Sequence, residues 1–189
     1  MKKAFLIVFC LLVVAVGIFA AVVAMQPNDF RIGRSIEINA PPAAVFPHVN
    51  DFHKWEKWNP WIELDPDAKY THEGSPQGEG AIHRWAGNDK VGEGSMTIVE
   101  SKPSERIKIR LDFLQPMEDT ADVFFTFVPP SESSPDKTKV TWEMTGEYNF
   151  LGKAVCLVMQ MNKEMEKQLD KGLASMKRVV ETESGAATK

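Results

Sequence analysis

Arg106-Ile107-Lys108-Ile109-Arg110-Leu111-Asp112-Phe113 alternates charged and apolar side chains without a break. Successive side chains on a strand point to opposite faces, so Ile107, Ile109, Leu111 and Phe113 fall on one face and the charges on the other. This is the pattern of an antiparallel sheet with one covered face and one wet face. Less regular stretches of the same kind surround it at Lys69–Glu73, Ala81–Ala86, Ser95–Ser101, Ala121–Val128 and Lys139–Tyr148. An earlier one, Phe30–Asn39, carries Ile32, Ile36 and Ile38. Clusters of Gly, Pro and Asn separate these segments. Gly78-Glu79-Gly80 and Gly92-Glu93-Gly94 lie between strands and open no helix, so they read as hairpin turns and not as phosphate loops.

The cover for the sheet is expected after the last strand. Leu151, Val155, Val158, Met165, Leu169, Leu173, Met176 and Val180 recur at spacings of three, four or their multiples. That spacing predicts one amphipathic helix of about eight turns, with Lys153, Lys163, Lys167, Asp170, Lys171 and Lys177 on its other faces. Gly172 costs roughly 1 kcal/mol inside a helix relative to Ala, which predicts a close approach to the sheet there. Near the start of the domain, Ala40-Pro41-Pro42 ends the first strand, and Pro42 suits a first helical turn. Ala43–Trp58 is interrupted by Pro47 and reads as two short helices. The expected fold class is α+β, an antiparallel sheet wrapped against one long C-terminal helix.

Met1-Lys2-Lys3 precedes Ala4–Met25, 22 residues without a charge. As a helix this run spans roughly 33 Å, enough for the ~30 Å hydrocarbon core of a bilayer. A secretory signal usually has a shorter apolar region, although Val22-Val23-Ala24 offers a cleavage site and leaves secretion as the alternative. Lys2 and Lys3 favour a cytoplasmic N-terminus with the domain on the outer side, a bias that Arg31 and Arg34 weaken. The expected organisation is a membrane anchor over 1–26, one ligand-binding domain over 27–182 and a disordered tail over 183–189.

Of the 189 residues, 43% are hydrophobic and 25% charged, which excludes a disordered chain. The net charge of −4 with no basic run argues against nucleic acid as a partner. Cys10 and Cys156 cannot build a disulfide framework, and the four histidines lack metal-ligand spacing, so neither a metal nor a cofactor is expected. No Gly-x-Ser-x-Gly nucleophile elbow occurs.

Several runs together resemble the polyketide cyclase/dehydrase branch of the START-like (SRPBCC) superfamily. They are Val45-Phe46-Pro47-His48-Val49-Asn50-Asp51-Phe52 with Trp55, Trp58, Pro60 and Trp61; Gly80–Asn88; Val91-Gly92-Glu93-Gly94; Val140-Thr141-Trp142; Asn149–Lys153; and Lys171-Gly172-Leu173. The resemblance covers about Phe30–Glu181. It implies the helix-grip architecture, in which a curved sheet grips the C-terminal helix and leaves a hydrophobic cavity. Function varies widely on this fold.

Candidate site residues follow from these readings. Trp55, Trp58 and Trp61, three apart, form either a packing cluster or an aromatic rim at the cavity mouth. Methionines gather in the second half of the chain and suit an adaptable apolar lining. The expected lining is His83, Trp85, Phe113, Phe125, Phe127, Met144, Val158, Asn162, Met165 and Leu169. Asn162 interrupts the apolar stripe; the resemblance implies an aspartate there, and its absence argues against an acid/base role. His83 stands where the family commonly has tyrosine; it can orient a ligand, shuttle a proton or simply be satisfied by a strand neighbour. The leading expectation is a membrane-anchored carrier or sensor for a hydrophobic small molecule, a lipid or polyketide-like compound. A cyclase or dehydratase using His83 as acid/base, and a protein-interaction module using the Trp segment, are the alternatives.

Overall fold

In the computed structural model, which describes residues 2–131 and 133–185, every expected strand is present, most of them longer than the patterning implies. They are β1 (Asp29–Ile38), β2 (Lys69–Gly74), β3 (Ala81–Ala86), β4 (Glu93–Lys102), β5 (Arg106–Gln115), β6 (Asp119–Val128) and β7 (Thr138–Glu147). All pairings are antiparallel, in the order β1-β7-β6-β5-β4-β3-β2. β5 buries Ile107, Ile109 and Leu111, as its alternation requires. At the N-terminus, α1 (Lys2–Met25) is 24 residues long, and long and apolar enough to cross a membrane. Its side chains are exposed until Ala20 and Val23 near its end, where Ala20 is half-buried and Val23 is buried. Between β1 and β2 the chain forms α2 (Pro42–Val45), α3 (Pro47–Asn50) and two 3-10 turns, Phe52–Lys57 and Pro60–Glu63. Pro42 and Pro47 each sit in a first turn, where a missing N–H removes no helical bond.

The C-terminal helix is not continuous. α4 (Phe150–Met159) ends at Gln160, whose φ of 51° puts it in the left-handed region, and α5 (Met161–Glu183) starts anew. Only α5 is gripped: Leu169, Leu173, Met176 and Val180 are buried against the sheet. The change of direction at Gln160 takes Leu151 and Val158 off that stripe, and both are exposed. Gly172 does provide the close approach, since a Cβ there would lie 2.7 Å from Trp142 Cζ3 and 3.0 Å from Pro60 Cδ. Ion pairs tie the outer face of α5 down, from Arg34 to Glu166 and Asp170, Lys171 to Glu63 and Lys57 to Glu183. Being exposed, such pairs set the register of α5 more than they stabilise it. α5 runs through Thr182 and Glu183, so the expected tail loses its first residue to the helix; residues 186–189 lie outside the described ones.

Candidate functional site

The concave face of the sheet, α5 and the 3-10 turns line a cavity of about 100 Å³. Strand parity assembles its floor. Met96 pairs with His83 on one side and Leu111 on the other, so three adjacent strands put one residue each into a single row. Trp85, Phe113 and the pair Trp142 and Met144 extend that floor two residues along their strands, and Val123, paired with Met144, adds β6. α5 supplies Met165 and Leu169 as the roof. Trp55, Asn59, Trp61, Tyr70 and Val91 close the sides.

Two glycines shape the walls. A Cβ at Gly94 would lie 2.5 Å from the Trp85 ring, so its absence lets that indole lie over β4, as Gly172 makes room for Trp142. Trp142 is the hub of an aromatic cluster, with ring centroids of Phe125, Trp58 and Trp61 at 4.9, 5.6 and 5.7 Å. The indole N–H groups of Trp55 and Trp85 donate to the carbonyls of Val49 and Val91, both at 3.0 Å. Satisfied in this way, these rings turn apolar surface toward the cavity.

His83 is the polar exception. It is buried and pairs across the ladder with His72, whose Nε2 lies 3.1 Å from His83 Nδ1. His53 stacks on His72 at 4.2 Å and reaches Asp51 Oδ1 at 2.9 Å, so a histidine ladder leads from the surface to the cavity wall. Burial, followed by the neighbouring His72 and His53, pushes the His83 pKa down to about 4. The ring is therefore neutral at physiological pH, with one nitrogen engaged by His72 and the other side of the ring toward Tyr70 and Phe52. Burial also holds the Tyr70 hydroxyl above its ordinary value. Among the described residues no cluster of His, Cys, Asp and Glu has the makings of a metal site.

The expected lining divides. His83, Trp85, Phe113, Met144, Met165 and Leu169 do line the cavity. Phe125 and Phe127 do not: both are buried behind it, Phe125 against Trp142 and Phe127 against Phe46. Parity puts them on the covered face, but at their place in the sheet that face is filled with side chains. Val158 is 67% exposed on α4 and faces away from the domain. Asn162 is outside the cavity as well; its Oδ1 accepts from the Tyr148 hydroxyl at 2.8 Å and lies 3.2 Å from Cys156 Sγ. That cluster lines a separate groove beside the end of α1, with Phe30 and Gln26. Trp55 and Trp58 are buried and form no rim: Trp55 is a cavity wall, Trp58 belongs to the core, and the half-buried Trp61 alone of the three stands at an edge.

Leu111 and Trp142 share parity with Phe113 and Met144, so the alternation that reveals two wall residues also contains the other two. Asn59, Tyr70 and Val91 lie in turns or on the edge strand, where no periodicity marks them.

The family model for polyketide cyclase / dehydrase and lipid transport matches residues 29–181. No curated protein matches the chain. Among solved structures, a Thermobifida fusca protein is 20% identical with a TM-score of 0.58, covering 80% of this chain and 93% of its own. A Chromobacterium violaceum protein is 17% identical with a TM-score of 0.53, covering 82% and 99%. The di-domain ARO/CYC StfQ from the steffimycin biosynthetic pathway is 10% identical with a TM-score of 0.60, covering 84% of this chain and 52% of that one. At such identities the likeness is one of fold, and it agrees with the helix-grip arrangement of a curved sheet around α5. The match over 29–181, spanning every strand and nearly all of α5, places the chain in the polyketide cyclase/dehydrase and lipid transport family, on the START-like fold.

Proposed function

We propose that the chain is a membrane-anchored binder of an apolar small molecule, acting as a carrier or sensor. The observation that carries this reading is the cavity: a mostly apolar lining in which the indoles of Trp55 and Trp85 are satisfied by backbone carbonyls, and in which, among the described residues, His83, Tyr70, Asn59 and the indole N–H groups of Trp61 and Trp142 are the polar groups. Empty apolar cavities of about 150 Å³ accept benzene. At about 100 Å³ this cavity is smaller than that, so a one-ring group enters with some adjustment of the lining. A larger lipid or polyketide-like ligand needs Met96, Met144 and Met165 to move, which unbranched thioether side chains do readily. His83 and Tyr70 then orient a polar end by hydrogen bonding.

Two observations weigh against the alternatives. A proton shuttle works best with a pKa near the working pH, and His83 lies well below it. The Trp segment buries Trp55 and Trp58 and offers no aromatic patch to a protein partner. The length of α1 and its burial of Val23 against the domain support an uncleaved anchor over a secretion signal, with Lys2 and Lys3 favouring a cytoplasmic N-terminus.

The lining tryptophans, Trp55, Trp61, Trp85 and Trp142, report on occupancy. Titrating the full chain in detergent with 1-naphthol is expected to quench their emission saturably, and Leu111→Phe, which pushes a ring into the cavity, is expected to weaken that binding severalfold. Equal, non-saturating quenching in both proteins would show partition into detergent alone and overturn the reading.

A further inference from the structure

α4 has a face that the domain does not use. Phe150, Leu151, Ala154, Leu157 and Val158 fall within one side of its ten residues, and Phe150, Leu151, Leu157 and Val158 are exposed. A water-facing helix of a soluble domain carries its polar residues outward; α4 does the reverse, with its one charged side chain, Lys153, turned inward and buried. Lys153 Nζ donates to the carbonyl of Gln26 at 3.1 Å and to Asn28 Oδ1 at 3.0 Å. Gln26 directly follows the last residue of α1, where helical carbonyls lack partners, so the ammonium caps the negative end of the anchor helix. Tyr148 N–H donates to the Asn28 carbonyl at 2.6 Å, a second tie just ahead of α4. α4 is thereby held at the level where α1 passes from apolar to polar sequence.

Register brings the cavity to the same end of the sheet. Asp29 at the start of β1 pairs with Glu147, and the neighbouring Gly146 pairs with Ala121. Asp119, two residues before, pairs with Phe113, Phe113 with Gly94, Gly94 with Trp85 and Trp85 with Tyr70. Phe113, Trp85 and Tyr70 are cavity residues. Leu114 and Met117, in and beside the β5–β6 hairpin, are exposed on that end as well.

We propose that α4 is an interfacial helix whose apolar face is embedded in the bilayer next to α1, seating the cavity end of the domain on the lipid surface. This rests on the reading of α1 as a retained anchor. The occupant is a bilayer and not a protein groove because α4 is hydrogen-bonded through Lys153 to the end of a membrane-length helix, which holds its unused apolar face beside the point where that helix leaves the domain. Interfacial helices of this kind sink ~5–10 Å, to the boundary between headgroups and acyl chains. A ligand dissolved in the membrane then meets the cavity without crossing bulk water.

Spin labels read depth directly. The full chain with Cys10→Ala and Cys156→Ser is reconstituted into vesicles of phosphatidylcholine and phosphatidylglycerol, and single cysteines are introduced by Leu151→Cys and Val158→Cys on α4. Val14→Cys in α1 and Arg178→Cys on the outer side of α5 serve as references. Expected are oxygen-to-nickel-chelate accessibility ratios at 151 and 158 severalfold above that at 178 and below that at 14. If 14 reads as membrane and 151 and 158 match 178, the interfacial helix is wrong while the anchor stands. An aqueous reading at 14 removes the anchor, and the seating of α4 falls with it.

Discussion

His83 is buried, neutral and one hydrogen bond from His72, and its depressed pKa has a consequence for stability. In the unfolded chain it titrates near 6.5, in the folded chain near 4, so the unfolded state takes up the proton first. The stability due to the neutral ring is full above about pH 6.5 and is lost as the pH falls toward 4, amounting to roughly 3 kcal/mol. His48, also pushed down by burial, acts in the same direction. Denaturant unfolding from pH 7.5 down to about 4 is expected to show this decline, and His83→Gln to flatten much of it; a slope unchanged by the substitution contradicts the assignment. Asn162 makes the complementary case. Because it serves Tyr148 and not the cavity, Asn162→Leu should leave 1-naphthol binding unaltered and cost roughly 1 kcal/mol through the lost acceptor, measured by tryptophan quenching and denaturant unfolding.

At the scale of elements, α5 carries the grip. Leu173 is 1% exposed, and Leu173→Ala is expected to destabilise the protein by about 2 to 5 kcal/mol in denaturant unfolding. Gly172→Ala sets about 1 kcal/mol of helix propensity against a Cβ 2.7 Å from the Trp142 ring. Overpacking costs about 1 to 3 kcal/mol, so a net loss of stability is expected, together with weaker cavity binding as Trp142 is pushed into the lining. A stabilised variant would show that the ring moves aside freely. These two residues are legible in the sequence because the spacing Leu169, Leu173, Met176, Val180 is an unbroken stripe, and a glycine in its middle needs a reason. The break at Gln160 is not legible: two helices in tandem, each apolar at intervals of three and four, merge into one pattern when no proline or glycine separates them. The misplacement of Val158 and Asn162 follows from that single merger. Phe125 and Phe127 miss the cavity for another reason, since alternation assigns a face but not which part of that face is packed and which is open.

For the whole molecule, the sheet, α5 and the end of α1 combine into one arrangement, a largely apolar cavity held at the end of the domain where a membrane-length helix departs. Family membership over 29–181 and a fold shared with proteins at 10% and 20% identity agree with the sheet-and-α5 part of that arrangement; under the function proposed above, His83, Tyr70 and the methionines of this chain would select the ligand. The most direct measurement is native mass spectrometry of the full chain, released from detergent after purification from membranes. The expected result is an intact chain that retains residues 1–25 and carries an apolar adduct, which collisional activation removes and which Leu111→Phe largely abolishes. A chain of bare polypeptide mass, unaltered by added membrane extract and identical for the variant, would contradict a ligand-binding cavity.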